Sequence, residues 1–250
     1  MEKSPRNPQY QEVADYLREG IVSGTFPAGR ALPSEEILSK EFGLPRPTIR
    51  QGIAKLRAAG LVEVLMDRRM FVRSPKPRLN MTRPREVRKD REGRYIESVA
   101  VRWTTADTPT ATHTDAPMAL ADLLSIPPGE PMFTYDELQT AERGRLRQAH
   151  RTYIPFSRLI GTPFTESAPP PAPALCTELE RLGHALHWTE SIRARTPSPD
   201  EATSIHLVHG VPFFQILRLT FNQHDKPFAL EEFKIPSDDL EITYEFGISS

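Results

Sequence analysis

Along the first sixty residues apolar side chains recur at helical spacing. Tyr10, Val13, Ala14, Leu17 and Ile21 fall at i, i+3, i+4, i+7 and i+11, and Gly24 and Pro27 close the run, which predicts an amphipathic helix over residues 8–23. Ser34 follows Pro33 and precedes Glu35 and Glu36. A capping hydroxyl with acids in the first turn predicts a second helix through Phe42, which Gly43 stops. Arg46-Pro47-Thr48-Ile49-Arg50 opens a third helix reaching Ala59, with Gly60 as its stop signal. Two helices joined by a short glycine-containing turn make a helix-turn-helix. Leu61–Val64 and Met70–Val72 then read as a β-hairpin, and Arg68 and Arg69 sit in its tip. Such a hairpin after the third helix is a wing, whose arginines can reach phosphates or a minor groove.

Beyond residue 95 the period changes. Strand-like runs are Pro131–Tyr135, Gln148–Pro155, Pro212–Phe221 and Pro227–Phe233, with His224-Asp225-Lys226 as a turn between the last two. Ala116–Leu124, Leu175–Gly183 and Pro199–Leu207 are helical candidates. Hairpin-linked strands with separate helices predict an α+β domain around an antiparallel sheet. Between the halves, residues 76–94 carry eight basic side chains and few apolar ones. With Pro75, Pro77 and Pro84 breaking any regular element, this stretch reads as a linker, either a plain tether or a basic arm along phosphates. The predicted domains are therefore 1–75, the linker 76–94, and 95–250. The proline-rich stretch 168–174 reads as a stiff surface loop.

Charge adds a second division. The whole chain of 250 residues has a formal net charge of −1, but residues 1–94 hold 20 Lys and Arg against 12 Asp and Glu, while the rest holds 12 against 21. The first part suits a polyanion and the second does not. Mean hydropathy of −0.46 and the absence of an apolar run near membrane-spanning length argue against a membrane segment, and no apolar signal core opens the chain. One cysteine, Cys176, supports neither a disulfide framework nor a cysteine-rich zinc site, which suits the cytoplasm.

The motifs Gly24-Thr25-Phe26-Pro27-Ala28-Gly29, Leu32-Pro33-Ser34-Glu35, Arg46-Pro47-Thr48-Ile49-Arg50 and Leu56-Arg57-Ala58-Ala59-Gly60-Leu61-Val62 together resemble the winged helix of the GntR family of bacterial transcription regulators. The resemblance implies that Arg46, Thr48 and Arg50 contact DNA, with Ser34, Arg68 and Arg69 as further candidates. Arginine forks suit guanine O6/N7 or phosphate. Two positions depart from the family pattern: Glu36 stands where an arginine is usual, and Asp67-Arg68-Arg69-Met70 replaces the glycine-rich wing tip.

Leu124–Pro131, Arg151–Pro155, Glu201-Ala202, His209–Pro212, Arg218 and Tyr244 are similar to the UTRA effector domain of the HutC branch, which has a chorismate-lyase-like fold. By position, that resemblance implies Glu137, His150, Tyr153 and Glu231 as effector-lining residues. Sugar-phosphate-sensing members have Arg at the Glu137 position, Glu at the His150 position, and a hydroxyl clamp where Ala174-Leu175-Cys176 stands. The replacements here disfavour a phosphorylated sugar.

Other chemistry is sparse. His184-x-x-His187 and His206-x-x-His209 could each put two imidazoles on one helix face, but neither has an acidic or cysteine partner at metal spacing. Cys176 could be imagined as a nucleophile, though a lone cysteine of this kind is more often inert. No phosphate-loop or nucleophile-elbow motif occurs. The expectation is a cytoplasmic, homodimeric, non-enzymatic DNA-binding repressor, without cofactor or metal, that recognises an inverted repeat and answers to a small effector. Two alternatives stay open: a DNA-binding protein whose second half only dimerises, and a lyase-like enzyme.

Overall fold

The computed structural model describes residues 8–64, 69–74, 79–82, 88–93, 95–96, 102–144, 146–164, 169–204, 211–238 and 240–244. They form two compact units, 1–77 with 196–212, and 78–195 with 213–250.

In the first unit α1 spans Gln9–Val22, α2 Glu35–Phe42 and α3 Arg46–Ala58. Ser34 caps α2, its hydroxyl accepting from the Ile37 N–H at 3.3 Å. Gly43 ends that helix at φ +63, a left-handed conformation that glycine enters without a Cβ clash. The short wing strands β1 (Val62–Val64) and β2 (Met70–Val72) pair antiparallel, and Ala31 adds a bridge to Phe71. Val13, Leu17, Leu38, Ile49, Ile53, Leu56, Val62 and Val72 close one core beneath them. The third helix packs on the first through Gly52. A Cβ there would stand 2.8 Å from the Tyr10 carbonyl oxygen and 2.9 Å from Val13. Because the nearer obstacle is backbone, Gly52→Ala should destabilise this unit by about 1–3 kcal/mol, read as a lower urea midpoint.

In the second unit the strands are β3 (Leu79–Thr82), β4 (Arg88–Lys89), β5 (Tyr95–Ile96), β6 (Thr104–Thr105) and β7 (Thr110–Asp115), then, after α4 (Met118–Leu124), β8 (Pro131–Ala141) and β9 (Leu146–Pro155). Short α5 (Phe156–Leu159) and α6 (Ala172–Arg181) precede β10 (His187–Arg195). After α7 (Pro199–Ser204), which groups with the first unit, come β11 (Phe213–Phe221), β12 (Pro227–Pro236) and β13 (Leu240–Thr243). The large sheet is antiparallel in the order β10-β11-β12-β9-β8, with β6 and β7 both on the outer edge of β8. The architecture is thus a winged helix-turn-helix plus an antiparallel α+β sheet domain.

Three sequence expectations change. Part of the span 76–94 is built into the second unit: β3 pairs in parallel with β13, and Met81 is fully buried in that unit's core. Lys89 also pairs with Glu180 on α6. Pairing to a strand some 160 residues away is invisible to local composition. The proline-rich stretch 168–174 ends in the first turn of α6, where Pro173 gives up an N–H that has no helical partner anyway. His184 and His187 do not share a helix face, because α6 ends at Arg181 and His187 begins β10. His206 and His209 lie outside the described residues. Among the described residues no group of three or more His, Cys, Asp or Glu could hold a metal ion. No described helix is long and apolar enough to cross a membrane.

Candidate functional site

Two sets of side chains concentrate the chemistry, one in each unit. The first lies at the start of α3. Ile49, Gly52, Ile53 and Leu56 turn inward, so the helical period leaves Arg46 and Arg50 exposed and Thr48 half-exposed on the outer side. Both arginines are held by acids at the start of α2. Arg46 Nη2 lies 3.1 Å from Glu36 Oε2, and Arg50 Nε donates to Glu35 Oε2 at 2.7 Å. The other Glu36 oxygen sits 3.3 Å from Lys40 Nζ. In the wing, Arg69 is exposed, with its guanidinium 5.7 Å from the Phe71 ring centre, while Arg68 lies outside the described residues. Ser34 is committed to its cap, which uses an acceptor lone pair and leaves the hydroxyl proton for another partner.

The second set crosses one face of the large sheet. Register places Glu137 opposite His150, His150 opposite Phe233, Glu231 opposite Arg218, and Arg218 opposite Glu190. These side chains form a continuous polar row. His150 Nε2 is 3.1 Å from Glu231 Oε1 and its Nδ1 is 3.7 Å from Glu137 Oε2. Arg218 is 3.3 Å from Glu190 and 3.7 Å from the second Glu231 oxygen. Tyr244 donates to Glu190 at 3.4 Å. The buried Phe233 ring is the floor: the His150 imidazole stacks on it at 4.3 Å and the Arg218 guanidinium lies 5.1 Å from its centre.

Hydrogen bonds keep the Glu137 carboxyl below the usual carboxylate range. The largest effect is that of His150, partly opposed by burial; the Thr105 hydroxyl and the Gln139 amide also donate to it. Apolar clusters flank the row, one built on Met81, Leu146, Ile235 and Leu240, the other on Ile154, Leu175, Leu179 and Ala229. Beside the second, buried Cys176 of α6 reaches Thr220 and Trp188. Burial foremost, and then Glu231, push its thiol up to about 12. A thiol so rarely ionised is a poor nucleophile. Cys176 in the folded protein should therefore resist iodoacetamide at pH 8 for hours and react on unfolding; rapid native alkylation, followed by mass, would contradict this.

Of the four residues implied as effector-lining, the structure brings together Glu137, His150 and Glu231. Tyr153 is not with them. Successive residues of a strand point to opposite faces, so positions 150 and 153 of β9 cannot share one. Tyr153 instead packs with Ala121, Leu124 and Leu230 behind the sheet. There it lines a separate cavity of about 290 Å³ with Thr112, Thr134, Asp136 and Arg151. Arg218 and Glu190 complete the row, though neither was a candidate site residue. Their place depends on strand order, which no local pattern reveals.

Residues 9–72 match the family model of bacterial regulatory proteins, gntR family. An uncharacterised helix-turn-helix-type transcriptional regulator of Mycobacterium tuberculosis is 37% identical over 65 residues, 26% of this chain and 27% of that one. The chain spans about a quarter of the length of several such curated relatives. A second uncharacterised regulator, from Streptomyces coelicolor, is 26% identical over 229 residues, covering 87% of this chain and 84% of its own. The crystal structure of a GntR-family transcriptional regulator superposes with a TM-score of 0.62 at 23% identity, over 97% of this chain and 99% of that one. Residues 9–72 therefore match the gntR family in sequence, and the two-part fold is that of the superposed structure.

Proposed function

We propose that this chain is a cytoplasmic, homodimeric transcription repressor of the HutC type, whose grip on an inverted-repeat operator is controlled by a small molecule bound in its second unit. One observation carries the DNA-binding half of this reading: within the segment that matches the gntR family, the N-terminal part of α3 presents Arg46, Thr48 and Arg50 on the side away from a buried apolar core. Guanidinium forks offer paired donors to guanine or phosphate, and the Thr48 hydroxyl donates to phosphate oxygen. Arg69 of the wing adds a cation that needs no base sequence. A dimer would present two α3 helices about one duplex turn apart, hence the inverted repeat.

For the effector, the polar row from Glu137 to Glu190 is the candidate site, with Glu137, His150 and Glu231 as its effector-lining residues. A phosphate dianion brought against the Glu137 and Glu231 carboxylates meets like charge in a partly dry setting, so a sugar phosphate is disfavoured. Nothing in the reading assigns catalysis, a metal or a cofactor to the chain. The test has two stages. Full-length protein is used to select duplexes from a random pool, and metabolites are then screened for release of the selected duplex. An enriched inverted repeat released by an unphosphorylated metabolite supports the proposal. Failure to enrich any sequence overturns it, and micromolar release by a sugar phosphate overturns its chemical part.

A further inference from the structure

The contacts between α2 and α3 carry an inference about how DNA is discriminated, and it rests on the DNA-binding reading above. Both exposed arginines at the start of α3 are paired with acids of α2. Glu36 and Glu35 hold Arg46 and Arg50 at 3.1 and 2.7 Å, and Glu36 also faces Lys40 at 3.3 Å. These contacts are not what folds the domain: Glu36 is 57% exposed and Arg46 55%. Ion pairs so open to solvent contribute little to stability. Nor does α2 depend on Glu36 for its start, because Ser34 supplies the cap and Glu35 remains in the first turn to complement the helix dipole.

We propose that Glu36 is a specificity-determining residue, which withholds Arg46 from DNA that puts only phosphates within its reach and yields it to an operator that sets a guanine edge there. The physical reason is an asymmetry of exchange. Where a duplex sets no guanine edge within reach, Arg46 can only trade one anion, the Glu36 carboxylate, for another, a phosphate. The displaced carboxylate is then left beside a polyanion, and like-charge repulsion offsets the gain. On the operator the new partners are the neutral O6 and N7 of guanine, fixed in a bidentate geometry that Glu36 does not mimic. The carboxylate therefore weakens binding to all sequences through the phosphates, and the operator alone recovers the loss. Glu36 acts by positioning and competition.

The experiment compares full-length wild type, Glu36→Gln and a control, Glu19→Gln, which removes an equal charge from an exposed position on α1 outside this cluster. Each protein is titrated on the duplex selected by the wild type and on a scrambled duplex of the same composition, over a series of salt concentrations. With Glu36→Gln, affinity for the scrambled duplex should rise about threefold to tenfold and its salt slope should steepen by about one unit, while operator affinity changes less. The operator-to-scrambled ratio therefore falls. Unchanged or weaker binding to the scrambled duplex overturns the proposal, as does an equal rise on both duplexes or the same ratio change with Glu19→Gln. An unaltered thermal midpoint shows that Glu36→Gln is folded. If the wild type selects no duplex at all, the DNA-binding reading fails first and this inference falls with it; a wild type that selects its operator leaves only the role of Glu36 at stake.

Discussion

Replacing Arg46 or Arg50 with alanine should lower affinity for the selected operator by about 1–3 kcal/mol each, roughly 5-fold to 150-fold, without shifting the unfolding midpoint. Neither side chain enters the core; the buried positions of α3 are Ile49, Gly52, Ile53 and Leu56. The kind of loss identifies the kind of contact. An arginine on a base edge loses affinity at one operator position, and variants of that base pair become equivalent. An arginine on phosphate loses affinity for every duplex and lowers the salt slope by about one. The two residues can differ in this, and a titration against single-base operator variants separates them. Because Arg50 must give up Glu35 to reach DNA, its removal also spares that exchange and should cost less than the lost contact alone. If both variants bind the operator as the wild type does, α3 is not the reading helix.

Glu231→Ala should destabilise the second unit and abolish effector binding together. The Glu231 residue is only 5% exposed, and its carboxylate faces His150 at 3.1 Å and Arg218 at 3.7 Å. Removing one partner from a buried charge pair leaves the other desolvated and uncompensated, a cost of about 3–5 kcal/mol. The value should lie near the lower figure, because Arg218 keeps Glu190 as a partner at 3.3 Å. Glu231→Gln retains hydrogen-bonding capacity and shape, so it should destabilise less. Urea unfolding followed by tryptophan fluorescence reads the effect, since Trp188 and Trp103 both lie in this unit. If Glu231→Ala unfolds at the wild-type midpoint, the row is not a buried network. A Glu231→Gln protein that is stable and still released from its operator by the effector would remove the row from the ligand site.

Amino-acid order alone determined nearly all of the winged helix-turn-helix within residues 9–72, and the reason is locality. Its three helices are written in a 3.6-residue period, and their ends are set by neighbours in sequence: the Ser34 hydroxyl bonds three residues ahead, and Gly43 takes the left-handed turn where it stands. The wing strands β1 and β2 that pair are close neighbours in sequence. Exposure of Arg46 and Arg50 follows from the same period. What the order of residues did not determine was their partners, since Glu35 reaches Arg50 only once α2 and α3 have packed.

In the second unit the balance reverses. Period-2 alternation does separate Tyr153 from His150, so that division was legible within β9 once the strand was recognised. Which strands are neighbours was not, because β12 lies between β9 and β11 and thereby sets Glu231 between His150 and Arg218, 81 and 13 residues away along the chain. The same long-range pairing takes Leu79–Thr82 out of an apparent linker and seats it against Leu240–Thr243. Helix caps and periods are satisfied by nearby residues and can be read from them. A sheet's backbone groups are satisfied only by whichever strand tertiary folding brings alongside, and the polar row exists only through that choice.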